Sequence, residues 1–174
     1  ATFTLTPATL AISCPQDQTF CLTASGNYTI PELLVNSSCE QDAIITWEVT
    51  GATTANGTGT DASGNYDPGV SIITWTVETA CTTLTCSITI NIEDVEVILP
   101  TMDPLCINDD VVQLNPTPAG GTWVGNGVTQ EGVFDPAAVG IGTHTITYTV
   151  TNSNGCRGEG TMEIVVNPLL TATI

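Results

Sequence analysis

A chain of 174 residues that holds 18 carboxylates, one arginine, one histidine and no lysine carries a formal charge of −17. Such a chain repels phosphate backbones and anionic lipid headgroups, which excludes nucleic-acid binding by charge neutralisation and electrostatic attachment to a membrane. Only 11% of the residues are charged and the mean hydropathy is +0.24, so this is a folded chain and not a disordered acidic tail.

Threonine, valine and isoleucine dominate, and β-branched residues fit the half-buried surface of a strand better than a helix. Sixteen glycines and ten prolines interrupt the chain at short intervals. The fold class is therefore all-β, and the length suits two sandwiches of roughly 80 residues. In chain order the first half predicts strands at Thr2 to Leu5, Leu10 to Ser13, Thr19 to Thr23, Ile44 to Thr50, Ile72 to Glu78 and Ser87 to Ile92. The second half predicts them at Val95 to Leu99, Val111 to Leu114, Gly121 to Val124, Gly132 to Phe134, His144 to Thr151 and Gly160 to Val166. Asn-Gly and Asn-Pro turn signals separate them. No apolar run approaches the length of a membrane-spanning helix, and no signal peptide is present, so we expect a piece of a longer exported protein.

The two halves repeat one pattern. GTGTDASGNYDP at Gly57 to Pro68 and GNGVTQEGVFDP at Gly125 to Pro136 agree at five of twelve positions without a gap, and Tyr66 matches Phe134 in kind. Each motif leads into an alternating strand, IITWTV or HTITYTV, that ends near a cysteine. Alternation puts His144, Ile146, Tyr148 and Val150 on one face, and Ile73, Trp75 and Val77 on the equivalent one, which is a core-facing pattern. Trp47 and Trp123 are upstream equivalents. The domain boundaries follow at 1–94 and 95–168, with 1–12 assignable to a preceding joint and 169–174 a linker. An elongated arrangement of two tandem immunoglobulin-like β-sandwich domains is expected.

The seven cysteines contain no C-x-x-C pair, and the only histidine lies in a strand, so disulfides are the reading rather than a metal site. Disulfides place the chain outside a reducing cytosol. Cys106 and Cys156, the only cysteines of the second half, are expected to bridge its start to its late strands. In the first half the expectation is Cys14 with Cys86 and Cys21 with Cys39, leaving Cys81 free. The competing arrangement joins Cys81 to Cys86 or to Cys21.

No enzyme motif is present: there is no G-x-S-x-G, Walker loop or H-E-x-x-H, and His144 has no nucleophile beside it. The chain is not an enzyme and requires no cofactor. Glu93, Asp94, Glu96, Asp103, Asp109 and Asp110 cluster around the boundary and are the candidate calcium ligands, because calcium takes six to eight oxygens and an acidic joint is a place for it to stiffen a rod. A glycan-binding role would use exposed aromatics, for which Trp47, Trp75 and Trp123 are the candidates.

CINDDVVQL, PAGGTWVGNGV, GVFDPAAVGIGTHTITYTVTNSNGC and EIVVNPL occur in that order over the second half. This run resembles the Ig-like/PKD-like repeats of giant surface adhesins of Bacteroidetes, a group that includes SprB-type gliding adhesins. In the first half the CP start, YDPGVSIITWTV and the TCSITINIED ending are similar to hyalin-type (HYR) repeats, with Cys14 and Cys86 at the family's first and last cysteines and Cys81 departing from it. The resemblance implies a β-sandwich, export to the bacterial cell surface and a spacer or adhesive unit of a long filament that moves during gliding. Its implied partners are neighbouring repeats of the same chain and a surface polysaccharide or substratum. The alternative is a carbohydrate-binding or spacer module of a secreted multidomain enzyme.

Overall fold

A computed structural model describes residues 9–37, 43–80 and 82–169. The predicted strand at Thr2 to Leu5, Cys39 and Cys81 lie outside the described residues. The chain divides into two compact units, Ala1–Asp94 and Val95–Ile174. Both are β-sandwiches, and the one helix among the described residues is a single turn.

The first unit contains β1 (Leu10–Ser13), β2 (Gln18–Cys21), β3 (Asn27–Tyr28), β4 (Leu34–Ser37), β5 (Ile44–Gly51), β6 (Ala55–Thr58), β7 (Gly64–Asn65), β8 (Gly69–Glu78) and β9 (Thr83–Glu93). A five-stranded sheet runs β2-β9-β8-β5-β6, with β2 parallel to β9, and the short pairs β1-β4 and β3-β7 lie apart from it. Along β8 the period of two buries Ser71, Ile73, Trp75 and Val77 and turns Ile72 to solvent. These buried residues meet Tyr28, Ile30, Leu33 and Tyr66 from the short pairs and their loops, together with Ile88, Ile90 and Ile92 of β9, in one core.

The second unit contains β10 (Leu105–Cys106), β11 (Val112–Gln113), β12 (Thr122–Gly125), β13 (Val133–Phe134), a helical turn α1 (Pro136–Val139), β14 (Gly142–Thr151) and β15 (Arg157–Asn167). Its sheet runs β10-β15-β14-β12, again with the first strand parallel to the last, and β11-β13 forms a separate pair. Ile146, Tyr148 and Val150 of β14 pack with Trp123, Phe134, Leu114, Ile164 and Val166. The Phe-Asp-Pro motif starts α1: the Asp135 carboxylate accepts from the Ala137 and Ala138 amides at 2.9 and 3.2 Å, and Pro136 needs no donor at the first helical position. Pro68 precedes Trp75 by seven residues, whereas Pro136 precedes Tyr148 by twelve, and the longer connection holds this turn. His144 lies at the edge of the core, where Nε2 bonds the Gly140 carbonyl at 2.9 Å and the ring packs on Phe134.

Strand registers make the repeat explicit. Trp47 lies opposite Trp75, and Trp75 opposite Cys86; Trp123 lies opposite Tyr148, and Tyr148 opposite Gly160. On the parallel edge Cys21 faces Glu93, and Cys106 faces Asn167.

Two expectations are corrected. Val95 to Leu99 is not a strand but an extended segment whose one ladder contact is the bridge between Ile98 and Thr117. It lies over β15, where a Cβ on Gly160 would meet Val97 at 2.9 Å and Leu99 at 3.1 Å, so crossing the sheet face leaves no neighbour for a ladder. The Cys106 to Cys156 bridge is not made, because Cys106 is a free thiol. Cys106 pairs at Asn167, the far end of β15, while Cys156 immediately precedes its first residue. Eleven residues of extended chain separate the two ends by roughly 36 Å, several times the span that a disulfide bridges. Cys156 and Cys21 are each disulfide-bonded. Cys14 and Cys86 are joined, with Cα atoms 5.8 Å apart.

Candidate functional site

A shallow groove of about 470 Å³ opens on the first unit, lined by Thr46, Glu48, Asn56, Thr58, Thr74 and Thr76 with Trp47 and Gly57. The register explains why these residues meet. Thr58, Thr46 and Thr76 form one row across β6, β5 and β8, and Asn56, Glu48 and Thr74 form the next. All six alternate with the core-facing set, so the period that buries Trp75 and Val49 delivers a polar grid to the opposite face. Rows lie about 6.8 Å apart along a strand and neighbours about 4.8 Å apart across strands.

Beneath the edge of the groove, Gly57 faces Trp47, and a Cβ at Gly57 would run into the indole. Glycine therefore lets β6 lie close against the ring. Thr74 shares a hydrogen bond of 2.9 Å with Ser87 on β9, which fixes its hydroxyl. Thr46, Glu48, Asn56, Thr58 and Thr76 make no side-chain hydrogen bond within the described residues. Elsewhere on this unit some exposed polar groups are engaged: Thr60 donates to Glu32 at 2.7 Å, the Ser63 amide to Asp61 at 2.8 Å and the Thr89 amide to Asp17 at 2.8 Å. Glu48 is the one ionisable side chain in the groove.

The aromatic candidates separate. Trp75 and Trp123 are core residues, 0% and 2% exposed, and only Trp47 is half-buried beside an opening. The indole N–H groups of Trp47 and Trp75 are buried without a hydrogen-bond partner, so neither is offered to a ligand. Among the described residues no group of three or more metal-binding side chains is found. Two of the candidate calcium ligands make local hydrogen bonds: Asp109, in the turn after β10, accepts from the Cys106 amide at 2.7 Å, and Glu93 accepts from Asn91 at 3.3 Å. Arg157, the only side-chain cation apart from histidine, is paired with Glu159 and donates to Thr149 at 3.2 Å. Alternation alone located the inward aromatics, but the groove needed the pairing of β6 with β5, which a four-residue ANGT strand does not announce.

No protein-family model matches the chain, and no curated protein matches it. Among solved structures it is similar to Drosophila N-cadherin EC1-4, at 10% identity and a TM-score of 0.48 over 88% of this chain and 48% of that one. It is also similar to protocadherin gammaB7 EC3-6, at 13% identity and a TM-score of 0.39, covering 91% and 47% of the two chains. A third likeness is to the Bacteroides ovatus mixed-linkage glucan utilization locus SGBP-B in complex with a mixed-linkage heptasaccharide, at 12% identity and a TM-score of 0.34, covering 91% and 47%. The chain spans about half the length of these structures. Among the described residues no helix is long and apolar enough to cross a membrane.

Proposed function

We propose that the chain is a pair of load-bearing repeats from a large adhesin on a bacterial cell surface. The observation that carries this reading is the recurrence of one sandwich with the same parallel edge pairing and the same aromatic register in both units. A sandwich closed by long-range pairing resists extension, and in the first unit a disulfide joins the segment that leads in from β1 to the last strand. Movement of the parent protein during gliding is the finer part of the proposal. Loss of colony spreading on deletion of the parent gene supports it, and unchanged spreading removes it.

The mechanical role is tested by pulling the chain at both ends in a force spectrometer. Each unit should yield at its own force peak. Reduction should lengthen the first unit's released chain by about 250 Å, the extended length of the 72-residue segment that the Cys14 to Cys86 bond locks. Extension without force peaks overturns the tether.

A second reading is favoured by the polar groove: the pair is a carbohydrate-binding module, attached to an adhesin or to a secreted multidomain enzyme. A tryptophan platform does not support it, since two of the three indoles are core.

A further inference from the structure

We propose that the groove on β5, β6 and β8 of the first unit binds a neutral polysaccharide chain, with Glu48 and Asn56 as the principal hydrogen-bonding residues and Thr46, Thr58, Thr74 and Thr76 around them. The proposal rests on the second reading above for its ligand class and is independent of the tether.

Three observations point to this ligand. The lining offers amide and hydroxyl donors with carboxylate, carbonyl and hydroxyl acceptors, a mixture that matches the alternating donors and acceptors of sugar hydroxyls. The volume of about 470 Å³ falls in the range of ligand sites, but the groove lies open on a sheet face, which suits a polymer laid across it better than an enclosed small molecule. Glu48 and Asn56 face each other in register and leave one another unbonded, so their hydrogen-bonding capacity is turned to solvent.

Other ligand classes fit less well. One carboxylate is too few for a cation that prefers six to eight oxygens. Polyanions, uronates included, meet Glu48 on a chain of net charge −17 with no base in the groove. A peptide strand would join a sheet edge rather than lie over side chains that project from its face.

The second unit serves as an internal control. Val124 stands where Glu48 does, because Trp123 faces Tyr148 as Trp47 faces Trp75. Among the described residues no strand takes the place of β6, so Asn56 and Thr58 have no counterparts there. Thr147 is bonded to Thr161 just as Thr74 is to Ser87, but Thr149, at the position of the unbonded Thr76, is bonded to Arg157. The groove is therefore a property of the first unit and not of the repeat.

The test is affinity electrophoresis of the full chain through native gels containing dextran, mannan, mixed-linkage β-glucan or, as a polyanion, alginate. At least one neutral polymer should retard the chain and alginate should not. The double variant Glu48→Ala, Asn56→Ala should weaken binding to that polymer by about tenfold or more, since each lost hydrogen bond is worth a several-fold change. Val124→Ala should leave it unchanged. Both variants alter exposed side chains, and equal melting temperatures would show that the fold is kept. Retardation by no neutral polymer overturns both the proposal and the carbohydrate reading. Retardation that the double variant does not relieve overturns the groove and leaves carbohydrate binding standing elsewhere on the chain.

Discussion

The two units solve one structural problem in different ways. In the first, Cys14 lies seven residues before Cys21 and is bonded to Cys86, seven residues before Glu93. In the second, the same spacings from Cys106 and Asn167 lead to Leu99 and Gly160, and Leu99 packs over the glycine. Where one unit closes its incoming segment onto the last strand covalently, the other does it by removing a side chain so that a leucine can approach. A junction can thus keep its place in a repeat while its chemistry changes.

Breaking the covalent version should give the largest effect. Cys14→Ala with Cys86→Ala removes a cross-link of sequence separation 72, which by loop entropy stabilises the first unit by about 4 kcal/mol. Calorimetry should show that unit's transition fall while the second unit's transition stays in place. The converse sharpens the comparison: Leu99→Cys with Gly160→Cys should oxidise spontaneously, detected by the mass change on reduction. A double variant that stays reduced in air would mean that the two junctions are not equivalent.

A smaller effect separates Tyr148 from Trp75, which hold the same position in their sheets. The Tyr148 hydroxyl donates to the Pro118 carbonyl at 2.8 Å and accepts from the Gly121 amide at 2.6 Å, tying the 118–121 loop to β14. Tyr148→Phe leaves both backbone groups unpaired and should cost about 1–3 kcal/mol in chemical denaturation. Trp75→Phe loses no hydrogen bond, because its indole N–H has no partner, so its cost is the cavity alone. A Tyr148→Phe variant as stable as the parent would show that this phenol contributes only its ring.

Much of this was legible in the sequence, for a definite reason. The long strands β8 and β14 bury one face, so their alternation names Trp75, Tyr148 and their neighbours without reference to anything distant. Two-residue strands such as β3, β7 and β10 have no period to read. They exist because a partner strand is already in place, as Val166 and Asn167 are for Leu105 and Cys106. The same blindness explains the failed Cys106 to Cys156 pairing. Chain order sets Cys106 before the early strands and Cys156 after the late hairpin strand, and only the parallel register reveals that they lie at opposite ends of β15. The groove escaped for a related cause: its residues are threonines, an asparagine and a glutamate that look like solvated surface until the register lays them side by side.

The smallest effect distinguishes Tyr66 from Phe134, the aromatic residues of the repeated motif. The Tyr66 hydroxyl donates to the Ala62 carbonyl at 2.8 Å, and burial, with a lesser contribution from the Asp61 carboxylate, pushes the phenol up to about 12. In the unfolded chain a tyrosine ionises near its ordinary value of about 10. Between about pH 10 and 12 the unfolded state has therefore released a proton that the folded state retains, so the first unit loses stability as pH rises through this window and the loss levels off above it. Asp61 itself is held below the usual carboxylate value by its hydrogen bonds from Ser63. Asp61→Asn removes the smaller cause and should lower the phenol's titration point only part of the way, since burial remains. Phenolate absorbance followed against pH measures this directly. Phe134 has nothing to ionise, so Tyr66→Phe, which copies the second unit's choice, should remove this part of the alkaline loss. A Tyr66→Phe chain that weakens between pH 10 and 12 as steeply as the parent would assign the alkaline sensitivity to another group.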